Sequence, residues 1–124
     1  MTNHYKAVDD LLPLREPTFY ILISLAEGNK HGYAIRKDVE TLSQGRVRLS
    51  TGTLYEGLAR LLEQNLIERV SGGENQEPGI QRHPGKPRKA YRLSEFGMKV
   101  LEAETNRLRT LVSAAYQQLG QQNA

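Results

Sequence analysis

The chain has 124 residues, enough for one domain, and its 38% hydrophobic fraction can fill a modest core. It has no cysteine, which removes disulfides, thiolate catalysis and cysteine-based zinc sites together and is compatible with a reducing, cytoplasmic setting. The net charge is only +3, so its distribution carries more than its size: five Lys/Arg and no Asp/Glu fall between Pro78 and Ser94, a basic segment suited to phosphate or another anionic surface.

No apolar run approaches the ~20 residues that a membrane helix needs. The opening MTNHYKAVDDLLPL lacks the basic-then-apolar order of a secretory signal. Residues 1–13 read as an N-terminal tail or short arm. Pro13 interrupts any continuous helix there while Leu12 and Leu14 pack. Glu16-Pro17-Thr18 is a helix entry, and the helix ends at Gly28-Asn29. Phe19, Leu22, Ile23 and Ala26 form one apolar stripe, which Ile21 and Leu25 widen, as in the central helix of a small bundle.

A second helix starts at His31-Gly32-Tyr33 and is closed by Gly45. Ile35, Val39 and Leu42 face inward, and Tyr33, Arg36, Lys37 and Glu40 form the opposite stripe. Gly45 to Leu49 is short, alternates and is β-prone, so it is expected to make one or two sheet bonds. Ser50 or Thr51 then caps a third helix. Leu54, Leu58, Leu61 and Leu62 form its buried face, and Asn65, which tolerates the left-handed conformation, stops it. Its other face carries Thr53, Glu56, Gly57 and Arg60 toward the N-terminal half.

Leu66 to Val70 and Lys89 to Leu93 read as two antiparallel strands. Between them lies a long Gly/Pro/Gln-rich loop, a wing of residues about 66–93. Ser94-Glu95 opens a last helix, with a Ser cap and an early acidic residue, expected to end at Leu119 before Gly120. Leu101, Leu108, Leu111, Val112, Ala115 and Leu119 keep a heptad-like spacing along it, an apolar seam longer than the domain requires. The fold class is therefore mainly α with a small β-wing. A winged helix-turn-helix domain over 14–93 is followed by a dimerisation helix over 94–120 and a tail over 121–124.

Such a domain reads DNA when a helix enters the major groove with short polar side chains near its N-terminus. Cations hold the flanking phosphates, and a second subunit repeats the contact about one DNA turn away, ~34 Å. Ser50, Thr51 and Thr53 supply hydroxyls, Gly52 allows close approach, and Arg60 can reach a base or a phosphate. Tyr33, Arg36 and Lys37 can touch the backbone from the preceding helix, and Lys86, Arg88 and Lys89 from the wing. Tyr55 lies beside the leucine stripe, so packing and phosphate contact both remain open on the residues alone. Glu56 can accept from a cytosine amino group and repels phosphate. Catalysis has no constellation. His4, His31 and His83 lack ligand spacing, so no metal is expected. No GxxxxGK[ST] phosphate loop is present, Ser50 has no base nearby in sequence, and no cofactor motif occurs.

The combined motifs resemble the PadR-like transcriptional regulators, of the short type with one C-terminal helix. The resemblance rests on Phe19-Tyr20-Ile21-Leu22, Leu25-Ala26, His31-Gly32-Tyr33-Ala34-Ile35, Gly45, Gly52-Thr53-Leu54-Tyr55 with Leu58, Arg60 and Leu61, Leu66-Ile67, Tyr91-Arg92-Leu93-Ser94 and Gly97. It covers Leu12 to Val112. It implies a homodimer bound to double-stranded operator DNA, usually as a repressor, that answers a small hydrophobic or phenolic effector or a partner. It places DNA contacts on Tyr33, Ser50, Thr51, Thr53, Tyr55, Lys86, Arg88 and Lys89, which favours the contact role of Tyr55. Many members have Pro directly after GTLY, where this chain has Glu56-Gly57. The arm before Tyr91 has Ala90 in place of an aromatic, and the wing is longer than typical. The alternative reading is a winged helix that serves as a protein-interaction module, with the leucine seam as its working surface.

Overall fold

The computed structural model describes residues 7–70 and 89–123. After a short 3-10 turn at Val8–Leu11 come α1 (Glu16–Ala26), β1 (Lys30–His31), α2 (Gly32–Leu42), α3 (Thr51–Glu63), β2 (Ile67–Val70), β3 (Ala90–Leu93) and α4 (Glu95–Asn123). The chain is mainly helical, with one antiparallel sheet in the order β1-β3-β2, the winged-helix class expected from its sequence. No described helix is long and apolar enough to cross a membrane.

The core is built from Leu22, Leu25, Ile35, Val39, Leu54, Leu58, Leu61, Leu66, Ile67, Tyr91 and Val100, all buried. Each such aliphatic side chain contributes about 1.5–3 kcal/mol by leaving water. On α1 the buried line is Ile21, Leu22 and Leu25; Phe19 and Ile23 are half-buried and Ala26 is exposed. The stripe is rotated from the expected one because Ser24 also points inward. Its hydroxyl donates to the Asp38 carboxylate at 2.7 Å, tying α1 to α2. Lys30 reaches the same carboxylate, and Glu27 at 3.1 Å. Burial works against both charges. The hydrogen bonds outweigh it, holding Asp38 below and Lys30 above their ordinary pKa values.

Two expectations, for the end of α2 and for the segment after it, are corrected. Leu42 is 45% exposed, and Ser43 is the buried residue in its place. Arg46 to Leu49 joins no strand. The Val47 N–H donates to Ser43 Oγ at 2.9 Å, the same Oγ lies 3.3 Å from the Val47 carbonyl, and the Arg36 guanidinium donates to the Leu49 carbonyl at 3.3 Å. Side chains thus take up backbone groups that a strand would offer to a sheet. The third strand is β1 instead, pairing Lys30 with Tyr91 and His31 with Ala90.

Asn65 does end the α3 turn in the left-handed region, with φ 64°. β2 and β3 pair from Ile67↔Leu93 to Val70↔Ala90. Ser94 donates to the Asn65 carbonyl at 2.6 Å and accepts the Gly97 N–H at 2.9 Å, capping α4 as expected. Gly97 lies so close to Leu66 that a β-carbon there would come within 2.9 Å of its carbonyl carbon.

α4 runs past the expected end at Leu119 to Asn123. A glycine in an exposed helix costs only about 1 kcal/mol against alanine, so Gly120 does not stop it. The N-terminal arm packs Val8, Leu11, Leu12 and Leu14 on the core. The Leu14 N–H donates to Glu104 at 2.9 Å, and Arg107 holds that buried carboxylate at 2.6 and 3.0 Å. The Arg107 bonds outweigh the cost of burial and, with the Leu14 N–H, keep Glu104 below the usual carboxylate range.

Candidate nucleic-acid interface

The N-terminal end of α3 is open. Ser50 is its N-cap: Oγ accepts the Thr53 N–H at 3.1 Å and lies 3.0 Å from Thr53 Oγ1. Ser50, Thr51, Gly52, Thr53, Tyr55, Glu56 and Arg60 are exposed, while Leu54, Leu58 and Leu61 of the same helix are buried. A β-carbon on Gly52 would meet nothing within 4 Å, so the backbone there is accessible. The unpaired N–H groups of the first turn and the helix dipole make this end attractive to anions.

Three elements converge on this end through two contacts. Tyr55 lies across Gly32 at the start of α2, where a β-carbon would sit 2.9 Å from its Cζ and closer still to its hydroxyl oxygen. His31 Nδ1 lies 3.3 Å from the carbonyl of Lys89, where the wing returns into β3. Tyr55 is thus both a packing and a surface residue: its ring rests on α2, yet 40% of it is exposed. Tyr33, the next residue of α2, is exposed, and Lys37 Nζ stands 5.5 Å from its ring centroid in a cation–π contact. Lys89 is exposed. Behind Tyr55, burial and the Tyr55 phenol push the hydroxyl of Tyr91 above its ordinary pKa.

The structure divides the expected contact residues. Arg36 is half-buried, and its guanidinium is engaged with the Leu49 carbonyl, so it secures the turn that carries α3. Lys86 and Arg88 lie outside the described residues. Sequence reasoning did not find Gly32 as the seat of Tyr55, or His31 as the link to the wing. The pairing of HGY at 31–33 with GTLY at 52–55 held that signal. Among the described residues, no group of three or more His, Cys, Asp or Glu could hold a metal.

On the C-terminal helix, the seam divides as well. Leu101 is buried in the chain's own core, and Leu108 is half-buried beside Leu14, Phe19 and Tyr20. From Arg109 to Gly120 every residue is exposed, including Leu111, Val112, Ala115, Tyr116 and Leu119.

The model of the family described as "Transcriptional regulator PadR-like family" matches residues 21–103, from within α1 to within α4. The chain belongs to the PadR-like family of transcriptional regulators. Members of this PadR-like family are regulators of transcription and not enzymes. A PadR family transcription regulator from hypervirulent Clostridium difficile is 26% identical, with 85% of this chain and 99% of that one covered at a TM-score of 0.65. A PadR-like transcriptional regulator from Bacillus cereus shares the fold at 20% identity, with 90% and 94% covered and a TM-score of 0.63. So does Bacillus subtilis PadR in complex with operator DNA, at 19% identity, 72% and 46% covered and a TM-score of 0.56. An uncharacterized 37.1 kDa protein in a transposon of Streptomyces fradiae is 33% identical over 86 residues; the match spans 24% of that curated relative's length.

Proposed function

We propose that this PadR-like regulator is a cytoplasmic, sequence-specific repressor that binds double-stranded operator DNA as a homodimer and is released by a small molecule or a protein partner. The observation that carries the DNA reading is the convergence just described, with the α3 N-terminus, Tyr33 and Lys37 of α2, and Lys89 at the wing base linked through Tyr55–Gly32 and His31–Lys89. Residues 14–93 then hold the DNA contact. Ser50, Thr51, Gly52, Thr53, Tyr55 and Arg60 enter the major groove, and Tyr33, Lys37, Lys86, Arg88 and Lys89 hold phosphates. That a Bacillus subtilis relative of this fold was solved with operator DNA supports the assignment.

Residues 94–120 carry the dimer contact. The seam begins at Leu101 inside the core and leaves the protomer with Leu111, Val112, Tyr116 and Leu119 exposed. The twelve residues from Arg109 to Gly120 extend ~18 Å with no cover from their own protomer. A helix so exposed is marginal in water unless its apolar side is packed, and a second copy supplies a matching seam. A cleft of about 340 Å³ between the start of α1 and α4, lined by Leu14, Phe19, Tyr20 and Leu108 and by the charged Glu16, Glu104 and Arg107, adjoins that seam and is the place we assign to the releasing ligand or partner.

The test compares a two-fold symmetric duplex from the protein's own promoter region with a random duplex, over a salt series. Specific binding that weakens steeply with salt is expected. Equal affinity for both duplexes refutes the reading. Replacing Lys86, Arg88 and Lys89 together with Ala should abolish regulation; intact regulation would favour the protein-interaction module instead.

A further inference from the structure

We infer that Glu56 is a specificity-determining residue, a carboxylate that selects cytosine at one position of each half-site. This rests on the DNA reading above. At ~100° per residue from the buried Leu54, Leu58 and Leu61 line, Gly52, Glu56 and Glu63 point most directly away from the core. Gly52 has no side chain, and the space before it is open. Glu56 is therefore the first side chain met along that line from the N-terminal end. Any groove that receives this end of α3 meets the Glu56 carboxylate at its floor.

Among the described residues, nothing in the fold makes use of this carboxylate. Glu56 lies five residues after Thr51, where α3 begins and whose first turn holds no acid, so it is beyond the range of the helix-terminal charge effect. Elsewhere on the surface Arg46 pairs with Glu16, Arg48 with Glu40, and Arg92 with Glu68. Among the described residues Glu56 makes no such pair, although Arg60 stands one turn on.

A carboxylate only accepts hydrogen bonds. In the major groove the guanine O6 and N7 and the thymine O4 are also acceptors and repel it. Adenine offers an amino donor beside an acceptor, whereas cytosine N4 is a donor that Glu accepts from directly. Phosphate oxygens repel the carboxylate as well, so Glu56 weakens registers in which α3 rides on the backbone. The same carboxylate thus rewards one base and penalises the others.

The experiment enriches duplexes from a randomised pool with the full-length protein, with Glu56→Gln and with Glu56→Ala. The substituted side chain is exposed, and circular dichroism confirms that each variant is folded. The parent should enrich a symmetric motif with a fixed cytosine in each half-site. Glu56→Ala should level that position alone and raise affinity for random duplex. Glu56→Gln should move the preference to adenine, which a glutamine amide pairs in bidentate fashion. Duplexes differing only at that cytosine should separate about tenfold on the parent and less than about twofold on Glu56→Ala. A parent motif that persists unchanged in both variants, or uniform tightening on every sequence, overturns the Glu56 assignment and leaves the repressor reading standing. A parent that enriches no motif overturns both.

Discussion

The contact between Gly32 and Tyr55 yields a quantitative prediction about how α2 and α3 are set against each other. In Gly32→Ala the new β-carbon would lie 2.9 Å from Tyr55 Cζ and 3.2 Å from Cε1, well inside van der Waals separation. Gly32 is buried and opens α2, so its backbone cannot easily retreat; the ring must move. Overpacking of this kind costs about 1–3 kcal/mol. Tyr55 is 40% exposed, so its ring can partly swing outward, which places the expected loss near the lower end of that range. In a Tyr55→Ala background the obstacle is gone. Gly32→Ala should then be neutral or stabilising by a few tenths to about 1 kcal/mol, since alanine has fewer unfolded conformations to lose. Urea unfolding of the four proteins of this double-mutant cycle, at one protein concentration, measures the coupling. A coupling of at least about 1 kcal/mol is expected. Equal cost of Gly32→Ala in both backgrounds would show that the ring does not depend on the missing β-carbon. Gly32→Ala should also weaken DNA binding, because displacing the ring disturbs the end of α3 that we propose enters the groove.

Three further outcomes are expected. Gly97→Ala drives a β-carbon into the Leu66 backbone, which, unlike a ring, cannot rotate away; a loss of about 3 kcal/mol or more in urea unfolding is expected, and a loss under 1 kcal/mol would contradict the crossing geometry. Leu111→Glu changes a side chain 54% exposed in the protomer, so thermal stability of the single chain should change by less than about 0.5 kcal/mol. On the proposed dimer, light scattering should nevertheless show monomer at concentrations where the parent pairs, and an unchanged dimer would remove the seam from the interface. Glu104 and Asp38 both have folded pKa values below their ordinary ones. Their stabilisation is therefore complete above the unfolded values of 4.5 and 3.8 and disappears as pH falls through the lower folded values. Glu104→Gln should lower the urea midpoint at neutral pH and flatten the acid limb of the stability curve, while an acid limb identical to the parent's would mean that this carboxylate gains nothing on folding.

The sequence by itself determined what depends on neighbours a few positions away. The Ser50 and Ser94 caps, the left-handed stop at Asn65, the buried Leu54–Leu58–Leu61 line and the two arms of the wing all follow from local backbone chemistry and helical or strand period. The HGY and GTLY motifs were equally visible. Only the tertiary structure decided what depends on distant groups, for which no period exists in the chain. It turned Ser24 of α1 toward Asp38, engaged Arg36 with the Leu49 carbonyl, and made Lys30–His31 the third strand in place of Arg46 to Leu49. It put Leu101 inside the core while leaving Leu111 and Leu119 of the same helix uncovered. Spacing identifies an apolar face; how far the body of the domain extends along that face depends on the elements packed against it. For the same reason the motifs announced Gly32 and Tyr55 separately, and only the packing of α2 against α3 showed them to be one contact.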